Sequence, residues 1–311
     1  QPEGYLAEAG DCDDGDTTVN PGAEEVCDGV DNDCDGGVDP AYSDWYLDTD
    51  GDGYGELGVA TSACAQPDGY VANDADCDDA DSAVNPGAAE DCNAIDDDCD
   101  GQIDGDYRVP EDYADVAEAA AAAPDGAIVC IAPGDYDVSG AIEVTTDISI
   151  VGYDGSETTR LIGDSTDRIL TGNGVTLELR GLVIALGSST SNGGCLRFWD
   201  SDVTLQDVYV GFCETTNSTG GGMYATTTDF AAYDSFIVTN TAGDGNSGGG
   251  GGFAVSEGNV TLANVSVYNN DVSGSYVCDS AAFAVVGDSS RYTLEMTNVL
   301  VSYNTCTSDS A

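Results

Sequence analysis

The stretch VTLELRGLVIALG at residues 175–187 is answered by VTLQDVYVGFCE at 203–214. FAAYDSFIVTNT at 230–241, VTLANVSVYNND at 260–271 and YTLEMTNVLVSYNT at 292–305 continue the series, with starts 28, 27, 30 and 32 residues apart. Each unit holds two short runs of alternating apolar and polar residues, the pattern of strands with one buried face. A polar residue divides the two runs: Asp207, Ser235, Asn264, Asn298. A further Asn follows the second run at Asn240, Asn269 and, one place shifted, Asn304. Glycine-rich stretches separate several units, including NSTGGGMY and NSGGGGGF. A flat β-sandwich explains neither the period nor these glycines. A stacked coil explains both, since one rung cannot bury its apolar face and a stack shares one core. The fold expected is mostly β, a solenoid, with the Asn residues forming hydrogen-bonded ladders.

Upstream, EDYADVAEAAAAAPDG is alanine-rich and predicts a short helix over 112–123, ended by Pro124 and Gly126. The following APDGAIVCIAPGDYDVSGAIEVTTDISIVGYDGSETTRLIG, residues 123–163, resembles the N-terminal part of right-handed parallel β-helix proteins of the pectin-lyase-like type. The resemblance covers about residues 110–311 and implies a helix capping the first coil, then a turn at Pro133, Gly134 and Tyr136. The last unit ends at NTCTSDSA without a capping segment, so the reading expects further chain, or another subunit, over the open strand edges.

A second repeat precedes the solenoid. DCDDGDTTVNPGAEEVCDGVDNDCDGGVD begins at Asp11, and DCDDADSAVNPGAAEDCNAIDDDCDGQID begins sixty-five residues later at Asp76. The period already holds at Gln1 and Gln66, so the chain begins inside a repeat and the natural protein is expected to extend upstream. Three segments share one template, with acids at positions 1, 3, 5 and 9 and glycine at 6. They supply Asp31, Asp33, Asp35 and Asp39; Asp48, Asp50, Asp52 and Glu56; and Asp96, Asp98, Asp100 and Asp104. Alternate carboxylates on a tight loop suit Ca²⁺, which takes six to eight oxygens, and position 7 offers its carbonyl from Gly37, Tyr54 or Gln102. Position 12, glutamate in an EF-hand, is Tyr42, Val59 or Tyr107. The missing ligands are expected from the opening segments: Asp11, Asp13, Asp16 and Asn20, and Asp76, Asp78, Asp81 and Asn85, with Glu25 and Glu90 as further candidates.

This pattern resembles the metal-binding repeats first associated with copper-acquiring bacterial surface proteins, and WYLDTDGDGYG resembles thrombospondin type 3 repeats, which bind calcium. Copper wants nitrogen or soft sulfur. The chain has no histidine, and its cysteines are expected to be oxidised, so several Ca²⁺ ions are the expected cofactor. The expected domains are a first calcium motif at 1–40, a second calcium repeat at 41–106 and the β-helix at 107–311.

The remaining composition narrows the function. With 59 acidic and 6 basic residues, net charge −53, the chain is not a nucleic-acid binder, and no apolar run is long enough for a membrane span. Twelve cysteines without histidine point to disulfides and an extracellular or cell-surface setting. Spacing suggests Cys27–Cys34, Cys92–Cys99 and Cys64–Cys77, then Cys195–Cys213 and Cys278–Cys306 as staples between coils. Cys12 is expected to have lost an upstream partner or to pair with Cys130. Asn217, Asn259 and Asn264 sit in glycosylation sequons. No arginine of the solenoid lies in a recognisable catalytic motif, and the nearest paired acids, Asp200 and Asp202, fall at a turn. No enzymatic activity is therefore expected. The expected role is a structural calcium-binding stalk, fibre or filament component that associates with itself or with other surface proteins. The alternative is an adhesin whose aromatics (Phe198, Trp199, Tyr224) contact glycans; a polysaccharide-degrading enzyme is the remoter reading.

Overall fold

The computed structural model describes residues 10–38, 43–105, 107–153, 155–216, 218–243, 249–273, 280–287 and 292–307. It divides into two compact units, Gln1–Ala89 with Asp96–Gln102, and Glu90–Ile95 with Ile103–Ala311.

The first unit is loop-rich. Among the described residues its regular structure is one antiparallel sheet in which Ser43–Leu47 lies between Ala60–Ala63 and Tyr70–Val71. Among its described apolar side chains only Val19 and Val84 are buried, at 4% and 3% exposure, while Val26, Val30, Val38, Leu57 and Val59 face solvent. A unit with so little apolar burial needs cross-links. It has three, Cys12–Cys34, Cys27–Cys64 and Cys77–Cys99.

These pairings correct the expected ones. Cys27 does not close a loop with Cys34, nor Cys92 with Cys99, nor Cys64 with Cys77. The reason is local. Cys34 and Cys99 adopt left-handed backbone, φ 59° and 58°, inside their tight loops. The turn aims each sulfur back at the opening segment, where the Cys12 and Cys77 amides also donate to it. Cys27 is then left for Cys64.

The second unit is a parallel β-solenoid. The strand Arg108–Val109 comes first, then the helix Val116–Ala122, which starts later than expected because the Asp115 side chain accepts the Glu118 amide at 2.9 Å and caps it there. The chain then stacks three parallel faces. One is a six-stranded sheet of Ile142–Val144, Leu170–Asn173, Leu196–Trp199, Met223–Thr226, Phe253–Ser256 and Phe283–Val286. The second is a thirteen-stranded sheet that includes Thr176–Ala185, Asp202–Gly211, Asp229–Tyr233, Val260–Ala263 and Leu294–Thr297. The third is a five-stranded sheet of short strands from Ser188–Ser189 to Thr305–Thr307.

Register places like on like. Leu177, Val203, Phe230 and Val260 are successive neighbours, as are Leu179, Leu205, Ala232 and Leu262. Phe253 stacks on Phe283 with centroids 5.0 Å apart. These columns form one continuous core.

The corners explain the polar residues of the repeat. Gly181, Asp207, Asp234, Asn264 and Asn298 share positive φ at one corner, residue types that tolerate left-handed backbone. Asp234 rather than Ser235 holds this position; Ser235 is buried and receives the Val208 amide. The inner ladder is Asn240, Asn270 and Asn304, not Asn269, which lies at a second left-handed corner. Asn240 and Asn270 are 0% exposed. Asn240 Nδ2 donates to Val210 O and Asn270 Oδ1, while Asn270 Nδ2 donates to Ile237 O and Asn304 Oδ1. Each buried amide is thereby satisfied by the rungs on either side.

Cys195–Cys213 forms as expected. Cys306 is disulfide-bonded, and its expected partner Cys278 lies outside the described residues, as do Asp39 and Asn217.

Candidate metal centres

The three Asp templates adopt one geometry. In the first, Gly36 N–H donates to Asp31 Oδ2 at 3.0 Å, Asp35 N–H to Asp33 Oδ1 at 3.1 Å, and Gly37 N–H to Asp35 Oδ1 at 2.7 Å. In the second, the same roles belong to Gly53 with Asp48 at 3.3 Å, Asp52 with Asp50 at 3.2 Å, and Tyr54 with Asp52 at 2.8 Å. In the third they belong to Gly101 with Asp96 at 3.0 Å, Asp100 with Asp98 at 3.1 Å, and Gln102 with Asp100 at 2.8 Å. Backbone amides thus orient the carboxylates at positions 1, 3 and 5, and Asp31 and Asp48 receive an amide on each oxygen, from Asp35 and Gly36 and from Gly51 and Gly53.

The position-6 glycines, Gly36, Gly53 and Gly101, have φ of 97°, 98° and 93°, yet nothing lies within 4 Å of where a Cβ would sit. Glycine is needed there for backbone conformation, not for room.

Within the first unit two groups converge closely enough to hold one ion. Glu25, Asp31 and Asp33 each offer an oxygen within 4.8 Å of the others, and so do Asp48, Asp50 and Asp52. Glu25 Oε1 is anchored by the Asp33 amide at 2.8 Å. Glu25, a further candidate from the sequence, therefore joins the first loop where the opening segment was expected to.

The opening segments themselves build turns. Asp11 accepts from Asp13 N, Asp13 from Gly15 N, Asp16 from Thr18 N and Oγ1, and Asn20 from Gly22 N. Asp81 and Asn85 do likewise for Ala83 N and Gly87 N. Of the expected donors among them, Asn20 and Asn85 give their backbone N–H to Asn32 O and Asp97 O, in the first and third loops, both at 2.8 Å, and the middle loop is paired by Asp76. Its Oδ1 accepts from Asp78 N at 2.8 Å. Burial first, then the charges of Asp52, Asp50 and Asp79, push its carboxyl above the usual range. Asp50 is pushed up as well, by desolvation first and then by Asp52, Asp79 and Asp48.

Other expected ligands fall elsewhere. Asp104 caps a turn, its Oδ1 accepting from Asn93 N and Ala94 N and its Oδ2 from Tyr153 Oη at 2.6 Å. Burial, then Asp104, hold that tyrosine protonated far above its ordinary range. Glu56 is exposed and takes part in an isolated bridge with Asp76.

Sequence reasoning missed Asp79, which receives Thr49 N at 2.9 Å and Thr49 Oγ1 at 2.5 Å, thirty residues away. It also missed buried Asn32, whose Oδ1 takes the Val26 amide at 2.9 Å. Neither contact is encoded in the template of alternating acids.

In the second unit, Arg180 grips Asp91, which lowers that carboxyl, and Cys92 bonds to Cys130. The expected acid pair Asp200 and Asp202 lies on a shallow acidic groove with Asp147, Asp229 and Glu257. Asn259 and Asn264 spend their side-chain amides on the solenoid ladders, Asn259 with Asp229 and Thr293, Asn264 with Asp234 and Asn298.

Residues 11–40 and 76–105 each match the family model Cu-binding_MopE, described as "Putative metal-binding motif". Residues 134–275 match a domain of unknown function, DUF4957. No curated protein matches. Among solved structures, a pectin methylesterase from Aspergillus niger is 13% identical, covering 68% of this chain and 92% of that one, at a TM-score of 0.25. That score carries no argument, and the β-solenoid rests on the strand register. The chain thus joins two copies of a metal-binding motif to a parallel β-solenoid, with disulfides in both units. Among the described residues no helix is long and apolar enough to cross a membrane.

Proposed function

We propose that this chain is an extracellular, calcium-binding structural protein, a component of a stalk, fibre or surface filament. One observation carries the reading. Three loops present carboxylate oxygens in the same amide-fixed geometry, within a unit that has almost no apolar core. Oxygen-only donors on tight loops suit Ca²⁺ better than Mg²⁺, which keeps its waters, or copper, which seeks imidazole or thiolate. The chain has no histidine, and the cysteines of these loops are in disulfides. The family name mentions copper; the donors here favour a harder ion.

Limited proteolysis with intact-mass analysis tests this, with calcium and after chelation. The reading expects chelation to open the first unit to cleavage while the solenoid survives. An unchanged cleavage pattern would refute it.

A glycan-binding role is the second reading, favoured by one surface. Phe198 is buried, and half-buried Trp199 lies beneath Arg197, 5.3 Å from its ring. Tyr209 and Phe236 instead stand in register on an outer face beside exposed Leu186 and Phe212, with Ser156, Glu157 and Arg160 at the groove's edge. Aromatic faces with polar neighbours suit sugar rings. Loss of polysaccharide binding on Phe212→Ser would support this reading, and absence of any binding in the parent chain would remove it.

A further inference from the structure

We infer that the Asp48–Asp50–Asp52 loop and Asp76, the first residue of the second motif, hold one divalent cation between them, so that the ion ties the hairpin sheet to that motif. The inference rests on the metal reading of the loops and adds a site whose loop lies outside both family-matched segments, which span 11–40 and 76–105.

Asp76 is 1% exposed, and its Oδ2 has no hydrogen-bond partner. Asp50 Oδ2 and Asp52 Oδ2 are likewise buried and unpartnered. Backbone pairing sets Asp76 against the loop. Asp76 N–H donates to Gly55 O, and Leu57 N–H donates to Asp76 O, both at 3.2 Å. Gly55 lets the end of the loop lie close on the sheet and on Asn73, since a Cβ there would meet Tyr46 Cβ at 2.6 Å, Asn73 O at 2.8 Å and Val71 Cγ2 at 2.9 Å. Asp79 fastens the other end of the loop through Thr49.

Buried carboxylate oxygens without donors are costly, and several together more so. No side chain of the first unit can neutralise them. The chain has no lysine or histidine, and its first arginine is Arg108. The neutralising charge must come from solution, and a hard divalent cation matches four carboxylates.

Calcium titration by calorimetry on the full chain tests this, with Asp50→Asn, Asp76→Asn and Asp74→Asn compared. Asp74 lies two residues before Asp76, is exposed and belongs to none of the expected ligand sets, so it controls for disturbance of the segment. Circular dichroism and a disulfide count by mass confirm that each variant folds. The result expected is that Asp76→Asn and Asp50→Asn weaken the same single ion at least tenfold, that the double variant loses no second ion, and that Asp74→Asn binds as the parent does. If Asp50→Asn loses an ion and Asp76→Asn does not, the shared site is overturned while the loop reading stands. If the parent binds no calcium, both fall.

Discussion

Asp50 and Asp76 carry carboxyls whose pKa is raised in the fold by burial and by neighbouring acids. The sign follows from linkage. A raised folded pKa means the metal-free fold holds protons that the unfolded chain releases, so its stability falls as pH rises from the ordinary carboxylate value through the raised one. A cation needs the ionised form and reverses the trend. Thermal melts of the first unit should therefore show a calcium-induced increase in Tm that is small near pH 4 and large near pH 7. An increase independent of pH would contradict the carboxylate assignment. At this scale the sequence was only partly informative. Acids at alternate positions before a glycine marked Asp31, Asp48 and Asp96 from spacing alone, because each loop is local. Asp76 and Asp79 act on a loop more than twenty residues upstream, through backbone pairing and a threonine, and neither contact leaves a trace in spacing.

Among the elements, the solenoid rungs were legible because a period near thirty residues repeats the same inward side chains. The inner ladder was misplaced by one residue in one rung. Asn269 and Asn270 are adjacent and chemically identical, and only the corner conformation decides which points inward. Asn270→Ala would strip partners from Asn240 N–H, Asn240 Nδ2 and Ile237 O. Each buried group left unpaired costs about 1–3 kcal/mol. The variant should lower the second unit's unfolding free energy by several kcal/mol in denaturant titration. A loss below about 1 kcal/mol would mean that water replaces the amide. Disulfide connectivity was illegible for a related reason. Spacing counts residues along the chain, whereas the left-handed turns at Cys34 and Cys99 decide where each sulfur faces.

For the whole molecule, the two units depend on different forces. The second unit buries a continuous apolar core, and the first has cross-links and acidic loops in its place. Differential scanning calorimetry should resolve two transitions, and chelation should lower only the one belonging to the first unit. A single transition insensitive to chelation would remove the metal from the stability of this protein. The composition break near residue 106 did not reveal that Glu90–Ile95 groups with the solenoid unit, because a disulfide to Cys130 and an ion pair to Arg180 place it there. The Asn ladder also bears on load. Its hydrogen bonds, like those of the backbone, run along the stack, and successive ladder residues Asn240 and Asn270 are 30 apart. A rung torn loose gives up about 4.8 Å of stacked height. It releases about 100 Å of slack chain. Under tension along the stack, rungs outside the Cys195–Cys213 staple are expected to open one at a time, each lengthening the chain before the next gives way.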